Sequence, residues 1–307
     1  IIIISTSCFY LGSLSFNTVA IIMILLPWLG VSKSATTPFE PFKFNWQTLV
    51  IILGFLIFSG LTLYTIKSAQ TNEALRTPWV AVPTLTFLWF SCTNFIYLLM
   101  NNLTTKRWPI HLLYFTSLSL LVLIFPIAYG FDPLIHQATE KIIALTGTLY
   151  PKPFYYVGQY SLVVFLSHLL YLSTAIINTW LVPMLASLTL PLALSLFIER
   201  INANSKILLL SATPLLFTLP IFTYTTPQAL ANLWAIVCLL LMAVNLVGKN
   251  IPRLLPWLLA SAAILTHPLT GLPLVGLVAL WWLIFIRPDI AGIRHKLVIY
   301  AMAAYTV

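Results

Sequence analysis

Charge is what this sequence has least of. Only 7% of its 307 residues are Asp, Glu, Lys or Arg, and just six are acidic. An ordinary soluble domain carries about 25% charged residues, so a soluble globular domain is excluded, in line with a mean hydropathy of +1.00. Cysteine is scarce too. Cys8, Cys92 and Cys238 all fall in apolar runs with no CxxC pair, which excludes a disulfide framework and leaves buried thiols. Runs of roughly ten alternating residues are missing, which excludes a membrane β-barrel. The 15 basic residues give a net charge of +9, but they stand singly or in pairs between apolar runs. No basic stripe forms, so nucleic acid is not expected as a partner. Neither an internal repeat nor a low-complexity segment is present.

Long hydrophobic runs dominate instead. Stretches of about 20 apolar residues suffice to cross about 30 Å of hydrocarbon as helices, and in lipid the backbone must satisfy itself. Candidate spans fall at 8–30, 48–66, 79–100, 109–129, 159–173, 174–198, 207–222, 227–247, 254–266, 270–286 and 295–307. Trp46, Trp79, Trp108 and Trp180 sit at span edges, as an interfacial belt would. The expected fold is therefore an all-α, multi-pass integral membrane protein in the lipid bilayer. Segments 199–206, 248–253 and 287–296 carry basic residues, whereas 223–228 and 266–271 carry none. That alternation puts the first set in the cytoplasm and the second outside. Residues 159–198 must then cross an odd number of times, as one full helix plus a shallow or re-entrant piece. The first run lacks a basic n-region and a cleavage site, so it is not read as a signal peptide. The opening at Ile1 and the end at Val307 inside an apolar run are read as the limits of a portion of a longer protein.

The longest polar interruption is 130–158, "GFDPLIHQATEKIIALTGTLYPKPFYYVG". It divides the chain into N-terminal helices (1–129), an extracytoplasmic loop (130–158) and later helices (159–307). Asp132 as a cap and Pro133 in the first turn start a helix, and Gly147 stops it. At 100° per residue, Asp132, His136 and Glu140 share an arc of about 80°. Leu134, Ile135, Ala138, Ile142 and Leu145 gather on another face, and Ile143 breaks the polar arc. The pattern predicts an amphipathic helix lying on the membrane, its polar stripe facing water or a cavity.

"DPLIHQATEKIIALTG" resembles the first extracytoplasmic loop of GT-C superfamily glycosyltransferases, where an Asp precedes a helix with a His or Tyr and a later acidic residue, as in oligosaccharyltransferase catalytic subunits. "YPKPFYYVGQYSLVVFL" is similar to the "KPP-L-Y-Y" segment of the dolichyl-phosphate-mannose transferase branch. The order of "LPLALSLFIER" and "TYTTPQALANLWAIVCLLL" also fits, and the likeness covers about 130–286. It implies a GT-C-like helix bundle that moves a sugar from a polyprenyl-phosphate donor to a glycan, lipid or protein acceptor on the extracytoplasmic side. Asp132 matches the catalytic carboxylate and Lys152 the phosphate-contacting Lys. Glu140, His136, Tyr155, Tyr156, Gln159 and His267 would bind substrate. No metal is required by the pattern; if a divalent cation (Mg or Mn) is used, Asp132 and His136 are its ligands. The sequence departs from the family in having three or four spans before the loop, Gln228 where many members have an acid, and "KPF" for "KPP".

Among the other histidines, His168 is expected as a hydrogen-bonded contact within a span, and His111 and His295 as interfacial residues. The hairpin turn at 266–271 is expected to use Pro268 and Gly271 as breakers. Three rival readings stand beside the transferase. A lipid-linked polymerase or ligase would use the same donors but rely on arginines in a large loop, and 130–158 has no Arg. A non-catalytic GT-C-like subunit would keep the scaffold without turnover, and a membrane transporter would show two homologous halves, which this sequence lacks.

Overall fold

The structure, a computed structural model, describes residues 1–12, 14, 45–73, 77–100, 108–198, 222–246 and 252–286. Among them every regular element is a helix: α1 Ile2–Leu11, α2 Trp46–Ser68, α3 Pro78–Ala81, α4 Thr84–Met100, α5 Trp108–Leu118, α6 Leu120–Ile124, α7 Asp132–Thr146, α8 Val157–Leu170, α9 Thr174–Ile198, α10 Pro227–Leu246, α11 Leu254–Thr266 and α12 Pro268–Ile286. Three of these, α2, α9 and α10, are long and apolar enough to cross a membrane. The expected spans at 207–222 and 295–307, most of 8–30, and nearly all the charged residues behind the orientation argument lie outside the described residues.

Local chemistry explains where helices stop. Asn45 caps α2 by accepting the Gln47 N–H at 3.0 Å. The expected span at 79–100 is two pieces, because Pro83 has no N–H to continue the ladder of α3. The span at 109–129 is likewise divided at Ser119 and ends before Pro126. Thr116, Ser117 and Ser119 bond back to the carbonyls four residues earlier, a habit that bends helices. Thr226 caps α10 through the Ala229 N–H, with Pro227 at the first helical position.

Helix α9 is the hub, packing against α5, α7, α8 and α10. Two prolines lie inside it. Pro191 cannot donate to the Ser187 carbonyl four residues back, and His111 Nδ1 bonds that oxygen at 2.9 Å. His111 is thus an internal helix tie rather than the interfacial residue the sequence suggests. His168 also departs from expectation, since its Nε2 is buried with no partner. Trp180 lies inside α9, stacked on Phe115 at 5.9 Å. Helices α10, α11 and α12 pack through small residues, with Ala231, Ala235, Ala260 and Ala263 buried against Val278 and Trp281; small side chains let helix backbones approach closely.

Helix α8 has 14 residues, about 21 Å at 1.5 Å per residue, too short to cross about 30 Å of hydrocarbon. Tyr171 turns the chain in the left-handed region, φ 56°, and Asn178, five residues into α9, comes back to the same carboxyl that Gln159 touches near the start of α8. The 25-residue α9 is by length and composition the one element of 159–198 able to cross a membrane.

Candidate functional site

Helix α7 forms where the loop pattern predicts, and Gly147 closes it in the left-handed region, φ 75°, with its N–H on the Ile143 carbonyl at 2.7 Å. Its start differs from expectation. Asp132 makes no cap hydrogen bond; Phe131 holds the cap position and Asp132 is the first helical residue. There its negative charge complements the helix dipole. Asp132 is exposed, whereas His136, Glu140 and Ile143 face inward and are buried. Leu134, Ile135, Ile142 and Leu145 face outward, with Leu145 77% exposed. The polar stripe therefore faces the protein and the apolar stripe faces its surroundings.

The inward stripe meets α8, α9 and the α11–α12 turn. His136 Nδ1 lies 2.9 Å from the Tyr160 hydroxyl, and its ring stands edge-on to Tyr156 at 5.2 Å. Tyr156 stacks on His267, with centroids 5.5 Å apart and rings 14° from parallel. Tyr155 lies edge-on to Tyr156 at 4.8 Å. Tyr156 has φ 67°, a left-handed backbone that costs a bulky residue about 1–3 kcal/mol; the two imidazoles that bracket its ring hold it there. His267 Nδ1 pairs with Thr270 Oγ1 at 3.1 Å, and Thr270 donates to Asn232 Oδ1. Burial holds both imidazoles below the ordinary histidine value. At His136 the nearby Asp132 carboxylate opposes that shift and His267 adds to it.

The turn that carries His267 is built differently from expectation. Pro268 starts α12, but Gly271 sits inside the helix, and a Cβ there would fall on the Ile264 backbone. It permits close approach rather than breaking the chain. Gly158 does the same for α8, where a Cβ would meet Leu265 and Thr266 at 2.8 Å.

One turn below His136, Glu140 is fully buried. Its Oε1 accepts from Gln159 Nε2 and Asn178 Nδ2, both at 2.9 Å. Burial pushes the carboxyl up to about 8 in spite of those two donors. Glu140 and Gln159, read from the sequence as substrate-binding, thus face the interior and each other.

Of the sequence-derived residues, the structure gathers His136, Tyr155, Tyr156 and His267 into one aromatic–imidazole group. Asp132 sits at its edge, close enough to act on His136 and Tyr224. Near Tyr224, Gln137 and Asn178 line a narrow cleft with Pro133 and Tyr129. Lys152 stays apart. Its ammonium donates to the Tyr10 carbonyl at 2.8 Å and lies 5.9 Å from the Phe9 ring, which fastens the loop to α1. Tyr160 and Asn178 are additional members. Asn178 was detectable as a lone amide in an apolar run, and Tyr160 as the residue one helical turn after Tyr156.

Among the described residues no three His, Cys, Asp or Glu side chains converge as a metal site. Asp132 and His136 alone are a poor match for a hard divalent cation that takes six or more oxygens. Compared with models of known protein families, with curated proteins and with solved structures, the chain matches none.

Proposed function

We propose that this chain is the membrane portion of a multi-pass GT-C-type glycosyltransferase, acting on the extracytoplasmic side on a polyprenyl-phosphate-linked sugar. The observation that carries the reading is the exposed Asp132 at the start of α7, beside an imidazole–tyrosine group. Displacement at an anomeric carbon needs a carboxylate to orient the acceptor and take its proton, and Asp132 is the solvent-facing carboxylate there. The departing phosphate needs donors or positive charge. Lys152 would serve after leaving the Tyr10 carbonyl, and His267 only once protonated, since its Nδ1 already faces Thr270. Exposed Tyr155 and Phe154 offer faces for a sugar ring. An apolar groove of about 460 Å³ between α5, α8 and α9, lined by Phe115, Leu166, Leu170, Ile176, Trp180 and Met184, has the chemistry a prenyl chain would need.

The test is transfer from a panel of polyprenyl-phosphate sugars by purified full-length protein in lipid, wild type against Asp132→Asn. Loss of a general base lowers turnover by about 10²–10⁴-fold, with the fold unchanged because Asp132 makes no cap bond. Equal turnover in both would remove Asp132 from the chemistry. Absence of turnover in both would refute the transferase reading for this panel and favour the non-catalytic subunit.

A further inference from the structure

Glu140 poses a problem of satisfaction. Its Oε1 receives two amide donors, yet its Oε2 is buried with no partner. Gln159 has the mirror-image defect: its Nε2 is bonded to Glu140, and its Oε1 is buried with no partner. Both side chains are fully enclosed. Two orphaned acceptors on two groups already joined by one hydrogen bond are costly when separately desolvated. No lysine or arginine among the described residues pairs with Glu140; its described partners are the two amides.

A single proton resolves both defects. A carboxylic acid and a carboxamide that face each other close a ring, the amide N–H on the acid carbonyl and the acid O–H on the amide carbonyl. The first of these bonds is present at 2.9 Å, and the two orphaned oxygens are the atoms the second would join. We propose that Glu140, Gln159 and Asn178 form a proton-binding site, in which Glu140 is a carboxylic acid donating its Oε2–H to Gln159 Oε1 while its Oε1 accepts from Gln159 and Asn178. The bound proton comes from water and returns to it; nothing else is transferred.

The site joins three elements, α7 through Glu140, α8 through Gln159 and α9 through Asn178. The proton thereby fastens the helix that carries Asp132 and His136 to the hub of the fold. When it leaves, Oε2 becomes an anion facing a carbonyl oxygen, and the junction loosens. The titratable groups around it are few. His136 lies one turn back on α7, Tyr160 and Tyr156 belong to α8 and its cap, and α9 presents only the Asn178 amide. Lys141, the next residue on α7, is exposed. The assignment does not depend on sugar transfer.

Infrared spectroscopy of the full-length protein in lipid vesicles tests it. A protonated carboxyl has a carbonyl band distinct from the amide bands and sensitive to D2O. That band is expected at neutral pH, to disappear as the pH rises through about 8, and to be missing in Glu140→Gln while remaining in Asp132→Asn. Glu140→Gln puts an N–H where the acid has its O–H, so the ring survives, and the fall in thermal stability as the pH rises towards about 8 in the wild type is lost. If Glu140→Gln fails to fold, wild type labelled with ¹³C-glutamate carries the test, since the band must shift. A neutral-pH protein with no such band, or one whose band persists in Glu140→Gln, overturns the proposal. So does an ionised Glu140 whose protein is stabilised by added sodium at fixed pH, which would make the ligand a monovalent cation.

Discussion

Gly158→Ala isolates the contact on which the imidazole–tyrosine group depends. A Cβ at Gly158 would lie 2.8 Å from the Leu265 carbonyl carbon, the Thr266 nitrogen and Thr266 Oγ1. Carbon atoms settle about 3.5–4.0 Å apart, so the first turn of α8 and the last turn of α11 must separate by about 0.7 Å or more. Two of the three obstructing atoms are backbone, and Thr266 Oγ1 is itself tied to the Ala262 carbonyl at 2.7 Å. No flexible side-chain end can yield. Overpacking of this kind costs about 1–3 kcal/mol, against which alanine returns about 0.5–1 kcal/mol of helix preference. Tyr156 precedes Gly158 by two residues and His267 follows Thr266 directly, so the same separation opens the Tyr156–His267 stack. The assay is unfolding of the full-length protein in mild detergent, with transfer activity measured in parallel. Gly276→Ala is the control, because its Cβ meets nothing within 4 Å; it is expected to be neutral or stabilising. A Gly158→Ala protein as stable as wild type, with unchanged turnover, would refute the close-approach argument.

Two further predictions concern groups that the fold has buried. His111→Leu strands the Ser187 carbonyl and should destabilise by about 1–3 kcal/mol; adding Pro191→Ala, which restores an N–H to that oxygen, should recover part of the loss, and strict additivity in the double-mutant cycle would contradict the tie. His136 and His267 both sit below the ordinary value of 6.5 in the folded chain. The unfolded chain then binds protons more readily, so stability is complete above about 6.5 and falls as the pH drops below it. Glu140 acts in the opposite sense, its folded value raised from 4.5 to about 8, so stability falls as the pH rises through that window. Thermal unfolding against pH in Glu140→Gln should therefore leave only the acid-side loss, and a flat acid limb would remove the histidines from the account.

Much of the architecture was legible from hydropathy, because apolar runs must be helices where the backbone has only itself to bond. Helices α2, α9 and α10 follow their expected spans closely. The breaks at Pro83 and Ser119 were missed because window averages smooth over a lost N–H or a back-bonding serine. Helix α7 and its stop at Gly147 were read from turn chemistry and spacing alone. Which way its polar stripe faced was not, since a polar arc is compatible with water or with a polar interior. Only the partners decide, and Gln159 and Asn178 are distant in sequence. The resting place of Lys152 was illegible for the same reason: its acceptor is a backbone carbonyl more than 140 residues earlier, a pairing no local pattern announces.

The orientation of α7 has a consequence for how the protein must be handled. On the proposed reading, with α7 at a membrane surface, the exposed Leu134, Ile135, Ile142 and Leu145 would act as a float that sets the level of the helix. Asp132 shares that helix, so its height above the hydrocarbon would follow from the depth at which those four side chains rest. A thinner or thicker bilayer would raise or lower the carboxylate relative to α9 and strain the Glu140 junction between them. Lipid thickness would then act on this site directly, and a detergent micelle would replace that reference plane with a curved one.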